Sequence, residues 1–422
     1  MSSKLLTDVA PLRNNAQFRR WWAGSLVSSI GSVLTAFAVT LQVYDITHSP
    51  FAVGAIGLAQ MVPTLVIGLF GGSLADAVDR RKLVLVTSSS IATLSVALAV
   101  QAFAGLRQVW LLYALVFLRA AVRAIDQPAS RTFIPRLLPA DQLAAGIALN
   151  RVSFQLSIIA GPALAGVITA AAGGHLQACY LIDAVSFGAV LYAVARLPAM
   201  PAQPGNARPG LRAVGEGIGF LRRSQPLAGA FLADLNATVF AFPVALFPAI
   251  NAERFGGSPA TLGLLTTAIG VGGLVSSVFT GPIRHISRHG AAMLCTVAIC
   301  GAAFAGFALA RSLWLGLVFL AVAAAADTFT VVFRSTIVQS VTTESLRGRL
   351  TATEYVVGAS GDSLGNLESG ALGSLTTPTI SAFAGGMITV VLSGVIGLAL
   401  PGFAKYRQAR SSTAATAAEA PA

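Results

Sequence analysis

The chain carries the sequence GSLADAVDRRK at residues 72–82, between two long apolar runs. Gly72 has no side chain and lets the end of a helix approach another backbone closely. Asp76 can cap a helix N-terminus or pair with an arginine. The basic residues Arg80 and Arg81 favour the anionic inner leaflet of a membrane. An ordinary basic loop would explain the arginines alone, whereas the combined Gly–Asp–Arg spacing is specific and marks a motif between two predicted membrane helices.

The composition around this stretch is typical of an integral membrane protein. Of 422 residues, 55% are hydrophobic and 10% are charged, whereas a soluble protein carries about 25% charged residues. The mean hydropathy is +0.75, so lipid must be part of the solvent. The polar first twenty residues lack the pattern of a cleaved signal peptide, and we expect the first apolar segment to remain as a helix.

Apolar runs of about 20 residues are long enough to cross the ~30 Å hydrocarbon core of a bilayer. The sequence therefore predicts an all-α membrane protein with twelve transmembrane helices. We place them at residues 21–44, 51–75, 83–106, 109–128, 146–171, 176–195, 227–250, 260–281, 291–310, 313–333, 354–375 and 379–402.

The basic residues predict the orientation of these helices. With the N-terminus inside, 22 of the 28 Lys and Arg residues fall in inner segments, and Arg334 is counted with the loop after span ten. This distribution satisfies the positive-inside rule and predicts that both termini are cytoplasmic. The net charge of +12 needs no nucleic-acid partner, since basic and aromatic residues are not interleaved.

The chain is predicted to divide into two six-helix halves. The sequences at 138–143 and 341–346 follow spans four and ten at an offset of 203 residues, and the same offset aligns Arg131 with Arg334. Two such repeats around a central cleft form a transporter architecture with a substrate site near the midplane. The predicted parts are a cytoplasmic N-terminus (1–20), an N-terminal bundle (21–196), a cytoplasmic linker with an amphipathic helix (197–226), a C-terminal bundle (227–402) and a disordered cytoplasmic tail (403–422).

A second motif, GPALAG, lies in predicted span five. Pro162 frees a backbone carbonyl in the middle of the helix, and Gly161 and Gly166 permit tight helix packing. A routine kink in a tightly packed helix is the alternative interpretation.

Charged residues inside membrane helices are costly and mark functional sites by default. Seven acids lie in the predicted spans: Asp126, Asp183, Asp234, Asp327, Glu354, Asp362 and Glu368. Arg119 and Arg123 are candidate counter-charges, and Arg123 is placed to face Asp126 or Gln127. A carboxylate that alternates between an apolar and an arginine-containing environment can bind and release a proton.

Asp362 is our preferred proton carrier, because glycines at 361 and 365 permit close helix approach beside the cleft. Asp234 is second, and Asp126 is a further candidate. Asp183 is interpreted as structural, and Asp327 and Glu354 are expected near helix ends in solvent. The alternative for each acid is a structural ion pair or a helix cap.

These motifs resemble those of the major facilitator superfamily. The 72–82 segment resembles the superfamily's loop signature, and GPALAG resembles the core of its exporter motif, with Ser157 where a glycine would precede. Arg119 fits the span-four position of an arginine linked to proton coupling, although the glycine-containing tail of that motif is missing. The segments at 18–22, 43–50, 246–250, 348–350, 360–362 and 377–378 resemble the branch that includes the enterobactin exporters and macrolide exporters.

The resemblance implies a monomeric transporter of the bacterial inner membrane that exports a siderophore or a similar amphipathic molecule in exchange for protons. It also implies that Asp76 latches helix two to the start of helix eleven. No cofactor or metal is expected. A broad-specificity drug or macrolide exporter stays open, as does, from another class, a membrane sensor or enzyme. One departure is that Gly31 precedes Ser32, where some relatives carry an acid.

Overall fold

The computed structural model describes residues 8–201, 219–221, 224–242, 244–279, 286–342 and 344–407, and only the backbone at 69–77, 344–353, 355 and 359. Within these ranges the regular secondary structure is helical. The long helices are α1 (Ala16–Thr47), α2 (Pro50–Ala77), α3 (Arg80–Phe103), α4 (Val109–Arg131), α5 (Leu143–Ala171), α6 (Gln177–Ala195), α7 (Gln225–Phe240), α8 (Pro259–Val278), α9 (His289–Leu309), α10 (Leu313–Val341), α11 (Glu344–Leu375) and α12 (Pro378–Ala399).

Ten spans among the described residues are long and apolar enough to cross a membrane. The two remaining long helices, α4 and α11, each contain several charged residues, and both pack against other helices of the bundle. The prediction of an all-α membrane protein is confirmed.

Several helices begin at a Ser or Thr followed by Pro. The side chains of Ser49, Ser258 and Thr377 accept hydrogen bonds from backbone N–H groups in the first turns of α2, α8 and α12. Such a cap satisfies a donor that has no partner within the helix, and proline at the first position sacrifices no hydrogen bond. These three starts lie at the end of the bundle remote from the start of α1, which we call the far end. The opposite end is the termini end.

Helix α7 is interrupted, although its sequence reads as one apolar span. It stops at Phe240 and is followed by the 3-10 turn Val244–Leu246 and the short helix Phe247–Arg254. The sequence has prolines at 243 and 248, which lack the backbone N–H that an uninterrupted helix would use. The side-chain oxygen of Asn366 on α11 accepts a 2.8 Å hydrogen bond from the Ala245 N–H, replacing a helical partner.

Two close helix pairs join the N-terminal and C-terminal helices at the far end. In the α2–α11 pair, a methyl group added at Gly370 would lie 2.5 Å from the Pro50 carbonyl oxygen. In the α5–α8 pair, a methyl group at Gly166 would lie 2.7 Å from the Pro259 carbonyl oxygen. Contacts this close require glycine, so the far end is closed by backbone packing.

The predicted division into domains stays a prediction. Helices α1–α6 pack mainly on one another, and α7–α12 do likewise, with α2–α11 and α5–α8 as the extensive contacts between the two sets. Most of the predicted amphipathic helix and linker, at 202–218 and 222–223, lies outside the described residues. Residues 1–7 and most of the tail, 408–422, do so as well.

Candidate functional site

Arg119 on α4 forms a buried ion pair with Asp183 on α6. The guanidinium NH2 lies 2.9 Å from the Asp183 Oδ2, and the Asp183 side chain is 0% exposed. Thr35 on α1 and Ser95 on α3 each donate a 2.8 Å hydrogen bond to the same oxygen. Arg119 also donates to the Ser95 hydroxyl. Four helices thus share one charged network, and such hydrogen bonds are what make a buried ion pair tolerable.

Gly31 makes room for this network. A side chain at Gly31 would collide with the Ser186 hydroxyl, and its first carbon would lie 2.9 Å from the Asp183 Oδ1. The sequence lacks the acid that some relatives carry after this glycine. The structure instead places the carboxylate of Asp183, from α6, beside Gly31. The interpretation of Asp183 as a structural residue stays a prediction, now with Arg119 as its partner.

Arg123 lies one turn beyond Arg119 and faces open space. It borders a cavity of about 200 Å³ between α1, α2 and α4 and a larger one of about 590 Å³ that extends toward the termini end. Asp126 and Gln127 also line the larger cavity. The oxygens of Asp126 accept hydrogen bonds from Thr87 and Ser130. Among the described residues, no ion pair joins Arg123 to Asp126. The predicted neighbours Asp126 and Gln127 therefore share a cavity wall with Arg123 without pairing with it.

The C-terminal helices hold a second ion pair. Arg334 on α10 lies 3.1 Å from the Asp234 Oδ2 on α7, with side chains 17% and 10% exposed. The count that placed Arg334 in the loop after span ten was wrong, since α10 continues to Val341. The physical reason is that the Asp234 carboxylate neutralises the arginine, so the helix can carry it inside the bundle.

Further carboxylates gather around this pair. Asp327 on α10 lies within electrostatic range of Asp234, Asp362 and Arg334, and Glu354 lies within range of Asp234. The expectation that Asp327 sits near a helix end in solvent was wrong, because it lies in the middle of α10 and is half-buried. Four acids therefore surround a single described guanidinium.

Asp362 is exposed on α11, between two glycines that face α7. A methyl group at Gly361 would lie 3.1 Å from the Thr238 hydroxyl, and one at Gly365 would lie 2.6 Å from the Val239 carbonyl oxygen. The prediction that these glycines permit close helix approach is confirmed. The approach brings Asp362 within electrostatic range of Asp234.

The 72–82 segment joins α2 to α3 at the termini end. Asp79, and not Asp76, caps α3, accepting from the backbone N–H groups of Arg81 and Lys82. Asp76 lies in the last turn of α2, and its side chain, like the surroundings of Gly72, is outside the described residues. The latch to α11 stays a prediction.

The two arginines of this segment bind backbone groups at the termini end. The backbone N–H of the buried Arg80 donates a 3.0 Å hydrogen bond to the carbonyl oxygen of Met200. The Arg81 guanidinium donates to the carbonyl oxygens of Val194 and Ala195, the last turn of α6. A cation at a helix C-terminus is favourable, so Arg81 ties α3 to α6.

The GPALAG motif lies where α5 meets two other helices. Gly161 packs on Val33 of α1, where a methyl group would lie 2.5 Å from a Val33 methyl carbon. Gly166 packs on Gly263 of α8, and a methyl group at Gly263 would lie 2.7 Å from the Pro162 carbonyl oxygen. The motif therefore forms the far-end contact between the two sets of helices.

Comparison with known proteins places the chain in a family. The model of the family described as transmembrane secretion effectors matches residues 6–419. The chain belongs to this family. Like its family, this secretion effector is a multi-pass membrane protein, a secondary transporter of the major facilitator superfamily, and not an enzyme.

Curated relatives of this secretion effector cover nearly its full length. It is 25% identical over 404 residues to the enterobactin exporter EntS of Shigella boydii serotype 18, covering 96% of both chains. The identity and coverage are the same for EntS of Escherichia coli strain SE11. The resemblance stated from the sequence is confirmed at the level of the family, with these exporters as distant relatives.

Solved structures show the same fold. The nucleoside transporter NupG has a TM-score of 0.72 at 13% identity, over 93% of this chain and 100% of that one. A POT family transporter in complex with 5-aminolevulinic acid has a TM-score of 0.73 at 11% identity, over 93% and 97%. A bacterial homologue of the lysosomal transporter Spinster has a TM-score of 0.69 at 13% identity, over 95% and 99%. The predicted major facilitator fold is confirmed.

Sequence reasoning missed the partners of the intramembrane arginines. It named Arg119 and Asp183 separately, and it overlooked Thr35 and Ser95. The sequence shows that each of these four polar residues lies in an apolar helix. A buried polar group needs a hydrogen-bonding partner, so their presence indicates that such partners exist. Which helices are neighbours is set by the fold, and one sequence does not reveal it.

Proposed function

We propose that the protein exports an amphipathic small molecule, such as a siderophore, across a bacterial inner membrane in exchange for protons. Both termini are cytoplasmic in this proposal, and the substrate enters the cavities from the termini end. The far end is closed by glycine contacts, as inward access requires. Export follows when the α2–α11 and α5–α8 contacts part and the termini end closes.

One observation carries the coupling part of the proposal. Asp327 lies within electrostatic range of Asp234 and Asp362, and Asp362 lies within range of Asp234. Arg334 is the single described cation in this cluster. The cluster holds surplus negative charge inside the bundle, and a bound proton would neutralise it. Intramembrane carboxylates with this imbalance are suited to carry protons between the two sides.

Asp362 is the proposed carrier because it is the exposed member of the cluster. The Asp234 carboxylate is already held by Arg334, and Asp327 is half-buried. A group that must exchange protons with water on each side needs contact with the crevice. In this proposal the exposed Asp362 side chain makes that contact, and it stays within electrostatic range of Asp234.

The test uses inside-out membrane vesicles with an acidic lumen. Enterobactin, the substrate named for the relatives, and erythromycin serve as alternative probes. We expect the pH gradient to drive accumulation of one of them, and Asp362→Asn to reduce it to background. Glu368→Gln on the same helix makes the same charge change and should retain transport. Accumulation that does not depend on the pH gradient would refute proton coupling. So would transport by the Asp362→Asn variant at the level of the wild-type protein.

A further inference from the structure

Two adjoining cavities lie among the N-terminal helices, and Arg123 lines both of them. Their volumes are about 200 Å³ and about 590 Å³. Arg123 precedes the end of α4 at Arg131 by eight residues, or about 12 Å along the helix axis. The guanidinium thus lies deep in the bundle, at the junction of the two cavities.

Arg123 differs from Arg119 and Arg334, the two arginines that form ion pairs inside the bundle. Arg119 is neutralised by Asp183 and Arg334 by Asp234. In the part of the chain that the structure describes, Arg123 has no hydrogen bond and no acid within ion-pair distance. The two carboxylate oxygens of the neighbouring Asp126 accept hydrogen bonds from the hydroxyl groups of Thr87 and Ser130. Arg123 is therefore an available cation in a cavity that reaches the membrane interior.

The charged side chains of the larger cavity are mostly basic. Arg131 and Arg151 line it together with Arg123, against the single carboxylate of Asp126. Arg151 lies over the ring of Phe154, with its guanidinium carbon 5.8 Å from the ring centre. The potential of this cavity is positive, which attracts anions and repels cations.

The cavity wall suits an oxygen-rich aromatic molecule. Helix α1 contributes a row of hydroxyl groups, from Ser25, Ser28, Ser29 and Ser32. Aromatic rings of Trp21 and Phe187 line the same space. Hydroxyl groups donate to and accept from phenols and carboxylates, and aromatic rings bury the apolar body of a ligand.

The opposite half carries the opposite charge. Asp362 is exposed and Asp327 half-buried, whereas the cavities of the N-terminal half present Arg123. A guanidinium binds a carboxylate through two parallel hydrogen bonds, which fixes both position and orientation. The substrate's acidic group would therefore meet the N-terminal helices, away from the carboxylates that carry protons.

We propose that Arg123 anchors an acidic group of the transported molecule, so that the substrate is an aromatic or oxygen-rich anion. This assignment deepens the proposed function and rests on it. It separates the two transport classes left open by the sequence, because a cationic drug would meet Arg123 with a repulsive charge. Asp126 keeps its hydroxyl partners and is not the intended counter-ion of Arg123.

The test is an equilibrium binding measurement on the full-length protein in nanodiscs. Salicylate and its uncharged analogue salicylamide are titrated by calorimetry. We expect salicylate to bind more tightly than salicylamide, and Arg123→Gln to weaken salicylate binding about tenfold or more while leaving salicylamide affinity unchanged. Unchanged salicylamide binding also reports that the variant is folded. Arg123→Lys keeps the charge and should retain part of the salicylate affinity.

Two controls sharpen the result. Arg311→Gln makes the same charge change at an exposed position of the far end and should leave both affinities unchanged. Asp126→Asn removes a negative charge from the wall of the same cavity and should raise salicylate affinity. A loss of salicylate binding in either control, equal weakening of both probes by Arg123→Gln, or undetectable salicylate binding by the wild type overturns the proposal.

The binding test is independent of the transport test. Salicylate binding needs no gradient, so a substrate anchor at Arg123 can stand even if proton-driven export of enterobactin and erythromycin fails. Conversely, proton-driven export with no dependence of binding on Arg123 rejects the anchor and leaves the proposed function intact.

Discussion

At the residue scale, the protein treats its intramembrane charges in three ways. Arg119–Asp183 is a buried ion pair whose carboxylate also accepts hydrogen bonds from two hydroxyl groups. Arg334–Asp234 is a partly exposed ion pair with additional carboxylates nearby. Arg123 is exposed to a cavity and has no ion-pair partner among the described residues. The first arrangement joins four helices, and we propose that the other two serve proton binding and substrate binding.

The buried pair gives a stability prediction. Asp183→Asn leaves the Arg119 guanidinium uncompensated, and we expect the free energy of unfolding to fall by about 3–5 kcal/mol. The melting temperature of purified protein in detergent measures this loss. The double variant Arg119→Gln with Asp183→Asn should recover much of it, because neither charge remains. If the double variant were as unstable as the two single losses added together, the pair would not be the source of the effect.

The sequence predicted the identity of these charged residues better than their pairing. Acids inside apolar spans stand out by type, and Asp183, Asp234 and Asp362 were named on that ground. Asp183 could not be matched to Arg119, because they lie on helices whose adjacency depends on the whole bundle. Arg334 was misplaced because its charge was taken as the end of an apolar run, although Asp234 neutralises it inside the bundle.

At the element scale, glycine contacts determine where the two sets of helices meet. The exporter-like GPALAG segment was predicted to pack tightly, and its partner Gly263 on α8 was not foreseen. The starts of α2, α8 and α12 coincide with Ser-Pro and Thr-Pro pairs, a signal that the sequence analysis did not use. The break in α7 did not follow from its hydropathy, since the interrupted segment stays apolar and Asn366 supplies the missing hydrogen bond from a distant helix.

The α5–α8 contact gives a prediction about conformation. Gly263→Val places carbon atoms against the Pro162 carbonyl, so we expect the far end to open and transport to fall. Pulsed electron paramagnetic resonance between spin labels on the far ends of α5 and α8 should report a longer distance in the variant than in the unsubstituted protein. Gly188→Val on α6 is the matched control, because an added carbon there has no heavy atom within 4 Å. An unchanged distance in Gly263→Val would show that this contact does not hold the far end closed.

At the scale of the whole molecule, the two sets of helices differ in charge and meet at one end. The N-terminal cavities present Arg123, and the C-terminal helices present Asp362 and its neighbours. Our proposals assign proton binding to the C-terminal set of helices and substrate binding to the N-terminal set. This separation lets each ligand change the charge balance that the other experiences, without competition for one side chain.

The central claim is that the far end must open during every transport cycle. Ser49 and Ser374 lie on opposite helix sets at that end, with hydroxyl oxygens 3.4 Å apart. The most direct measurement is vesicle transport by Ser49→Cys with Ser374→Cys, after Cys179, Cys295 and Cys300 are replaced by serine. Oxidation to the cross-linked form should abolish transport, and reduction should restore it, while each single-cysteine variant stays active. Undiminished transport by the fully cross-linked protein would contradict alternating access through this end.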